Sequence, residues 1–259
     1  MRKAACIETL FTELPFDQRF KKAKDAGFEY IEFWSWKDKD VGRIRKLCTE
    51  HKLKVAGFSG DRDYSPIDEQ HTRNYIDFIA ESIRVAGTLE CRYLVIHSNA
   101  LGEDGLVIDP YLGKSDYQKF TTLCSTLKVV SDLAEKAHIV LILEALNTYT
   151  DHVGNYLTST EQSAKVVRLV NSPALRILYD VYHMQINEGN IFSTLDRYMD
   201  LIDYVHIADV PGRHEPGTGE INFPGLMKKF VELGYKGYLG FELFPAGTPE
   251  QAVQAIMSL

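Results

Sequence analysis

The chain has 259 residues, 45% of them apolar and 25% charged, the balance of an ordinary globular protein with a large core. That length suits one α/β barrel, so a single domain over 1–259 is expected. A net charge of −7 and a pI near 5.6 argue against nucleic acid and anionic membranes as partners and leave a small molecule as the expected one.

In chain order, short β-rich runs alternate with longer helical patterns. Ala4–Glu8 reads as strand one and Phe16–Ala26 as a helix closed by Gly27. Tyr30–Trp34 is strand two, Val41–His51 a charged helix, and Lys54–Phe58 strand three. Asp68–Ala86 is a helix, with Ile76, Ile79 and Ile83 at helical spacing and Gly87 as its terminator. Arg92–His97 is strand four and Asp116–Ala137 a long helix. Ile139–Glu144, apolar until its last residue, reads as strand five, buried on both faces. Ser159–Val170 (helix), Arg176–Asp180 (strand six), Ile191–Met199 (helix) and Tyr204–Ile207 (strand seven) continue in phase. Phe223–Leu233, closed by Gly234, precedes strand eight, Tyr238–Glu242, and the last helix, Pro249–Met257.

Eight strands and eight helices in alternation imply a parallel sheet closed as a (β/α)₈ TIM barrel, an α/β fold. An open doubly wound sheet would want a glycine-rich turn after strand one, and Thr9–Phe16 contains no glycine. The irregular stretch 98–113 follows strand four, where barrels carry active-site loops; it reads equally as a lid or as a surface insertion. The four cysteines, Cys6, Cys48, Cys91 and Cys124, are widely spaced and read as reduced, mostly buried thiols. The N-terminal residues do not read as a signal peptide, since Glu8 interrupts the short apolar run Ala4–Thr9, and no apolar stretch reaches about 18 residues. A cytoplasmic location is therefore expected.

Four polar residues end otherwise apolar strands: Glu144, Asp180, His206 and Glu242, on consecutive strands five to eight. One acid at a strand end reads equally well as a cap for the next helix. Three acids and a histidine ringing one barrel mouth are different, because clustered carboxylates repel and are costly to bury without a cation. An oxygen-rich set with one imidazole suits Mn²⁺ first, with Mg²⁺ or Co²⁺ as alternatives, one ion per subunit.

The segments Glu144-Ala-Leu-Asn147, Tyr179-Asp180-Val-Tyr-His183-Met-Gln185, His206-Ile-Ala-Asp209 and Arg213-His-Glu-Pro-Gly-Thr-Gly-Glu-Ile-Asn222 resemble the xylose-isomerase-like TIM barrel superfamily. Within it they are most similar to the hydroxypyruvate isomerase family, over most of the chain and most strongly from Leu143 to Glu242. The resemblance implies a metal held by Glu144, Asp180, His206 and Glu242. It also implies proton transfer by the pair Glu144 and Glu242 through an enediolate, and assembly into homo-oligomers. One departure concerns substrate: hydroxypyruvate isomerases carry Gln at the position of His206, where the related ketose 3-epimerases carry His. The aromatic Phe33-Trp34-Ser35-Trp36 also departs from the family; it reads as a pocket wall, as core or as an interface.

Four further residues are candidates for substrate binding. His183 could hydrogen-bond a substrate oxygen or pack in its loop. Arg213 could clamp a carboxylate or lie on the surface. Glu32, on strand two, could support the site from behind or make a structural hydrogen bond. His97, ending strand four, reads as pocket-lining or as a satisfied core histidine. The expected function is thus a metal-dependent isomerase of a small 2-hydroxy-carbonyl compound, of the hydroxypyruvate to tartronate semialdehyde type. The alternatives are a ketose 3-epimerase, which His206 favours, a nuclease resembling endonuclease IV, and a non-catalytic sugar binder. The nuclease would need a three-zinc cluster with extra histidines, and Gly57-Phe58-Ser59-Gly60 on strand three supplies none.

Overall fold

A computed structural model describes residues 1–102 and 105–259. Eight parallel strands close into a barrel in sequence order: β1 (Arg2–Cys6), β2 (Tyr30–Phe33), β3 (Lys54–Ser59), β4 (Tyr93–Ile96), β5 (Val140–Glu144), β6 (Leu175–Asp180), β7 (Ile202–His206) and β8 (Tyr238–Phe241). Each neighbouring pair is parallel, and β8 returns to β1 through Arg2–Tyr238 to Ala5–Phe241. The (β/α)₈ expectation is met. Strand bounds differ from the sequence reading by a residue or two at most ends, as fraying ends do.

Outside the barrel run α1 (Phe16–Asp25), α2 (Val41–His51), α3 (Thr72–Thr88), α4 (Asp116–Lys136), α5 (Thr160–Val170), α6 (Val181–Asn187), α7 (Ile191–Tyr198), α8 (Phe223–Glu232) and α9 (Pro249–Ser258). Nine α-helices among the described residues correct the expected eight. The addition is α6, which starts directly after β6, with Asp180 as its N-cap. Gly87 does not stop α3: the helix runs to Thr88, and Glu90 takes the left-handed conformation instead. Caps set most starts. Asp40 caps α2, Ser115 and Gln118 form a capping box on α4, and Thr248 and Gln251 form another on α9.

Strand periodicity explains where the site lies. Side chains alternate in and out, so each inward row advances two residues at a time. The barrel interior holds Ala4, Ala56, Tyr93, Val95, Val140, Ile142, Leu178, Tyr204 and Tyr238 in one cluster, with Tyr30 packed against it. Two residues further along the same rows stand Glu32, His97, Glu144, Asp180, His206 and, after Gly240, Glu242. The apolar floor, where Tyr204 and Tyr238 stack at 5.5 Å, is therefore roofed by titratable groups at the C-terminal ends of the strands, where barrels of this kind bind ligands. All four cysteines are buried and unpaired. Among the described residues no helix is long and apolar enough to cross a membrane. Of the stretch 98–113, residues 103–104 lie outside the described residues; Leu101 and Val107 around them form an antiparallel bridge.

Candidate active site

The four strand-end residues converge. His206 Nδ1 lies 3.3 Å from Glu242 Oε2, 3.7 Å from Glu144 Oε1 and 3.8 Å from Asp180 Oδ2. Two of these atoms, His206 Nδ1 and Glu144 Oε1, are buried without a hydrogen-bond partner. Unpaired buried polar atoms are costly, and here they are aimed at one point among carboxylate oxygens. That is the donor set and the deficit a divalent cation would satisfy. Asp180, His206 and Glu242 form one trio close enough to share an ion, and Glu144, Asp180 and His183 another.

Each ligand candidate is held from behind. His97 Nε2 reaches Glu144 Oε2 at 3.2 Å, while its Nδ1 is 2.9 Å from Asp61 Oδ1. The His97 backbone amide donates to the other Asp61 oxygen at 2.7 Å. His206 turns Nε2 toward Glu32 Oε1 at 3.4 Å, and Tyr204 donates its hydroxyl to Glu32 Oε2 at 2.5 Å. Gly240 makes this approach possible, because a Cβ there would collide with both Glu32 oxygens and the His206 ring. Trp34 donates its indole N–H to Glu242 Oε1 at 2.6 Å, although the residue is 44% exposed. Arg213 donates to Glu242 Oε2 at 2.7 Å, lies 3.6 Å from Asp180 Oδ2, and sits over the Tyr182 ring at 5.2 Å. Its Nε is buried and unpaired.

The electrostatics follow from this packing. Burial opposes the charge of His206, but the surrounding carboxylates of Glu32, Glu144 and Glu242 hold its pKa well above the usual range. Burial likewise disfavours charge on His97, yet Asp61 and Glu144 raise its pKa to about 10. Glu144 resists the upward push of burial through His206 and His97 and stays well below the ordinary carboxylate range. Glu242 is also lowered, with Arg213 and His206 outweighing burial. Asp180 goes the other way: burial, opposed by Arg213 and reinforced by Glu144, pushes it up to about 7. His183 is held well below the usual histidine value by burial and by the Arg213 charge.

Arg213 is carried by the loop after β7, and Asp209 shapes that loop. Asp209 is fully buried. Its carboxylate accepts from the backbone amides of Val210, Gly217, Gly219 and Ile221 at 2.8–3.1 Å. A Cβ at Gly219 would strike the Val210 carbonyl. Asn222, the last residue of the recognised motif, caps α8 through Gly225 N. Part of that motif therefore builds the loop and part presents Arg213.

All eight residues singled out in the sequence meet at the barrel mouth. Glu32 and His97 touch the candidate ligand side chains His206 and Glu144, not open space, and Arg213 lies in a buried ion pair, not on the surface. Of the two tryptophans, Trp34 joins the site, whereas Trp36 packs on Phe78 and donates to Ser82 Oγ at 2.7 Å. Asp61 escaped the sequence reading because it lies in a loop with no pattern around it. Trp34 escaped as a partner of Glu242 because an aromatic run reads as packing. Asp209 and Asn147 stood inside the quoted motifs but carried no assigned role.

Fold and site together define a (β/α)₈ barrel that gathers carboxylates and imidazoles at its C-terminal mouth. The chain belongs to the family described as xylose isomerase-like TIM barrel, which matches residues 20–259. It is 32% identical to the hydroxypyruvate isomerase of Escherichia coli (strain K12), over 98% of this chain and 97% of that one. It is 31% identical to a 2-oxo-tetronate isomerase of Haemophilus influenzae, over 94% and 93% of the two chains. Among solved structures, the crystal structure titled AP endonuclease, family 2, from Brucella melitensis superposes with a TM-score of 0.88 at 28% identity, covering 99% and 98%.

Proposed function

We propose that this protein is a metal-dependent isomerase of a short 2-oxo acid bearing a neighbouring hydroxyl, of the hydroxypyruvate or 2-oxo-tetronate kind. The observation that carries the reading is the convergence of Glu144, Asp180, His206 and Glu242 on one point, with Glu144 Oε1 and His206 Nδ1 left unpaired there. These four residues would hold one divalent ion, Mn²⁺ by preference, with Mg²⁺ or Co²⁺ as alternatives. When bound, it would supply Lewis-acid stabilisation to the charge developing on the two substrate oxygens. The names of the two curated relatives, both isomerases of 2-oxo acids, support the substrate class.

The chain's own groups move the protons. In hydroxypyruvate one proton leaves C3, one arrives at C2, and the hydroxyl proton passes between the adjacent oxygens, giving tartronate semialdehyde. Glu144 and Glu242 come from β5 and from the end of β8, on opposite sides of His206, and act as base and acid. Glu144 keeps one oxygen pinned by His97 and the other free. Arg213, with its unpaired Nε, binds the substrate carboxylate in a charge-assisted pair. Its buried guanidinium beside the proton-transfer pair selects a carboxylate-bearing substrate over a neutral sugar.

His206 favours a second reading, epimerisation of a free ketose at C3, which needs the same ion and glutamates. A nuclease has less support: a three-zinc cluster needs extra histidines, and Gly57-Phe58-Ser59-Gly60 at the end of β3 supplies none. The test is a substrate panel. Mn²⁺-loaded protein is assayed with hydroxypyruvate, 2-oxo-tetronate, fructose and tagatose. Conversion of the 2-oxo acids at far higher kcat/KM than the sugars supports the proposal. Conversion of ketoses alone moves the protein to the epimerases.

A further inference from the structure

Asn147 lies in the turn after β5 and is fully buried. Its Oδ1 accepts from two backbone amides, Thr150 N and Asp151 N, each at 3.1 Å. The opposite orientation of the carboxamide would set its N–H₂ against two donors, so the orientation is fixed. Nδ2 then faces Asp151 Oδ2 at 2.6 Å and His183 Nδ1 at 2.7 Å and donates to both. Asp151 Oδ2 also accepts from the Tyr182 hydroxyl at 2.9 Å. A proton on His183 Nδ1 would place two donors face to face at 2.7 Å, which excludes both the Nδ1–H tautomer and the imidazolium. The single ring proton therefore sits on Nε2, which lies 3.6 Å from Asp180 Oδ2 at the edge of the ligand cluster.

This decides what His183 offers. By spacing alone it could complete a metal site with Glu144 and Asp180. A ring nitrogen that keeps its proton has no lone pair for a cation.

We infer that Asn147 is a positioning residue that locks His183 in its Nε2–H form, making it a hydrogen-bond donor to the bound substrate and barring it from the metal. The inference rests on the isomerase reading only for the acceptor, a substrate oxygen. Tyr182 joins two parts of the site, holding Asp151 through its hydroxyl and carrying Arg213 on its ring.

The test is a long-range ¹H–¹⁵N correlation spectrum of the intact protein labelled at histidine and loaded with diamagnetic Mg²⁺. His183 is assigned by its loss in His183→Gln. The expected result is the Nε2–H pattern, and a proton on Nδ1 or on both nitrogens overturns the inference. A paired swap, Asn147→Asp with Asp151→Asn, keeps charge, volume and the cap on Thr150 and Asp151. It reverses the donor between the two side chains, the new amide giving its second N–H to the Tyr182 oxygen. It should move the ring proton to Nδ1 and lower kcat by ~10–100-fold, the usual cost of losing an orienting partner. A swapped protein with the tautomer unchanged overturns the inference. If the swap does not fold, Asn147→Ala is read instead: a mixture of tautomers is expected, and a pure Nε2–H pattern contradicts the role of Asn147. The spectra need no substrate, so failure of the isomerase reading would leave them untouched.

Discussion

Glu32 and His206 meet inside the barrel, with Glu32 Oε1 3.4 Å from His206 Nε2. The carboxylate takes the Nε2 side of the ring and leaves Nδ1 facing Glu144, Asp180 and Glu242. A carboxylate behind a ligating histidine fixes its tautomer and orientation. Glu32→Leu should lower divalent-metal affinity by ~10–100-fold with the barrel still folded. Gly240→Ala should do the same, because the added Cβ meets both partners. Isothermal titration with Mn²⁺ measures both, and unchanged affinity in the two variants removes the role.

The proposed proton-transfer pair makes a sharper demand. Glu144→Gln and Glu242→Gln preserve shape but lose the basic oxygen. Each should lower kcat by at least ~10²-fold on the productive substrate, the scale of general acid–base catalysis. Rates are compared at saturating metal, so that weaker loading is not mistaken for lost chemistry. Turnover close to wild type in either variant rejects that residue's assignment.

Arg213 should act on binding more than on chemistry. Arg213→Ala removes a charge-assisted contact of about 1.5–3 kcal/mol, so KM for a 2-oxo acid should rise by ~10–100-fold. Arg213→Lys should recover only part of this, since an ammonium cannot replace the guanidinium fork. KM values for the three proteins decide it, and an unaltered KM in Arg213→Ala shows that the carboxylate binds elsewhere.

Metal binding should weaken as pH falls. A ligand must shed its proton to coordinate a cation. The metal-free His206 keeps its proton well above the usual histidine range, because the carboxylates around it outweigh burial. Loading therefore displaces a proton throughout the neutral range, and affinity rises with pH. Asp180, raised by burial to about 7, adds a second displaced proton below that pH. The plot of log affinity against pH should have positive slope and steepen below about pH 7. Calorimetric titrations from pH 6 to pH 8 test the sign, and a flat profile contradicts it.

Much of the barrel was legible in the sequence because alternation repeats without a long break and strands such as Val140–Glu144 are apolar until their final residue. Convergence of Glu144, Asp180, His206 and Glu242 was legible for the same reason: polar residues at matching strand ends share one mouth. Helix α6 was not, because Asp180 ends β6 and caps the helix at once, leaving no loop to mark a boundary. Gly87 misled, since a glycine near a helix end is a frequent stop but not an obligatory one. Contacts set by loops, such as Asp61 with His97 or Trp34 with Glu242, depend on tertiary placement that no periodicity encodes.

The most direct measurement of the central claim is hydroxypyruvate turnover by chelator-stripped protein as Mn²⁺ is added back in deuterated water. The account predicts negligible activity without metal, full activity at one ion per chain, and deuterium on the carbon that gains a proton. Activity that survives stripping, or reloaded protein that converts no 2-oxo acid yet labels C3 of a ketose, would contradict it.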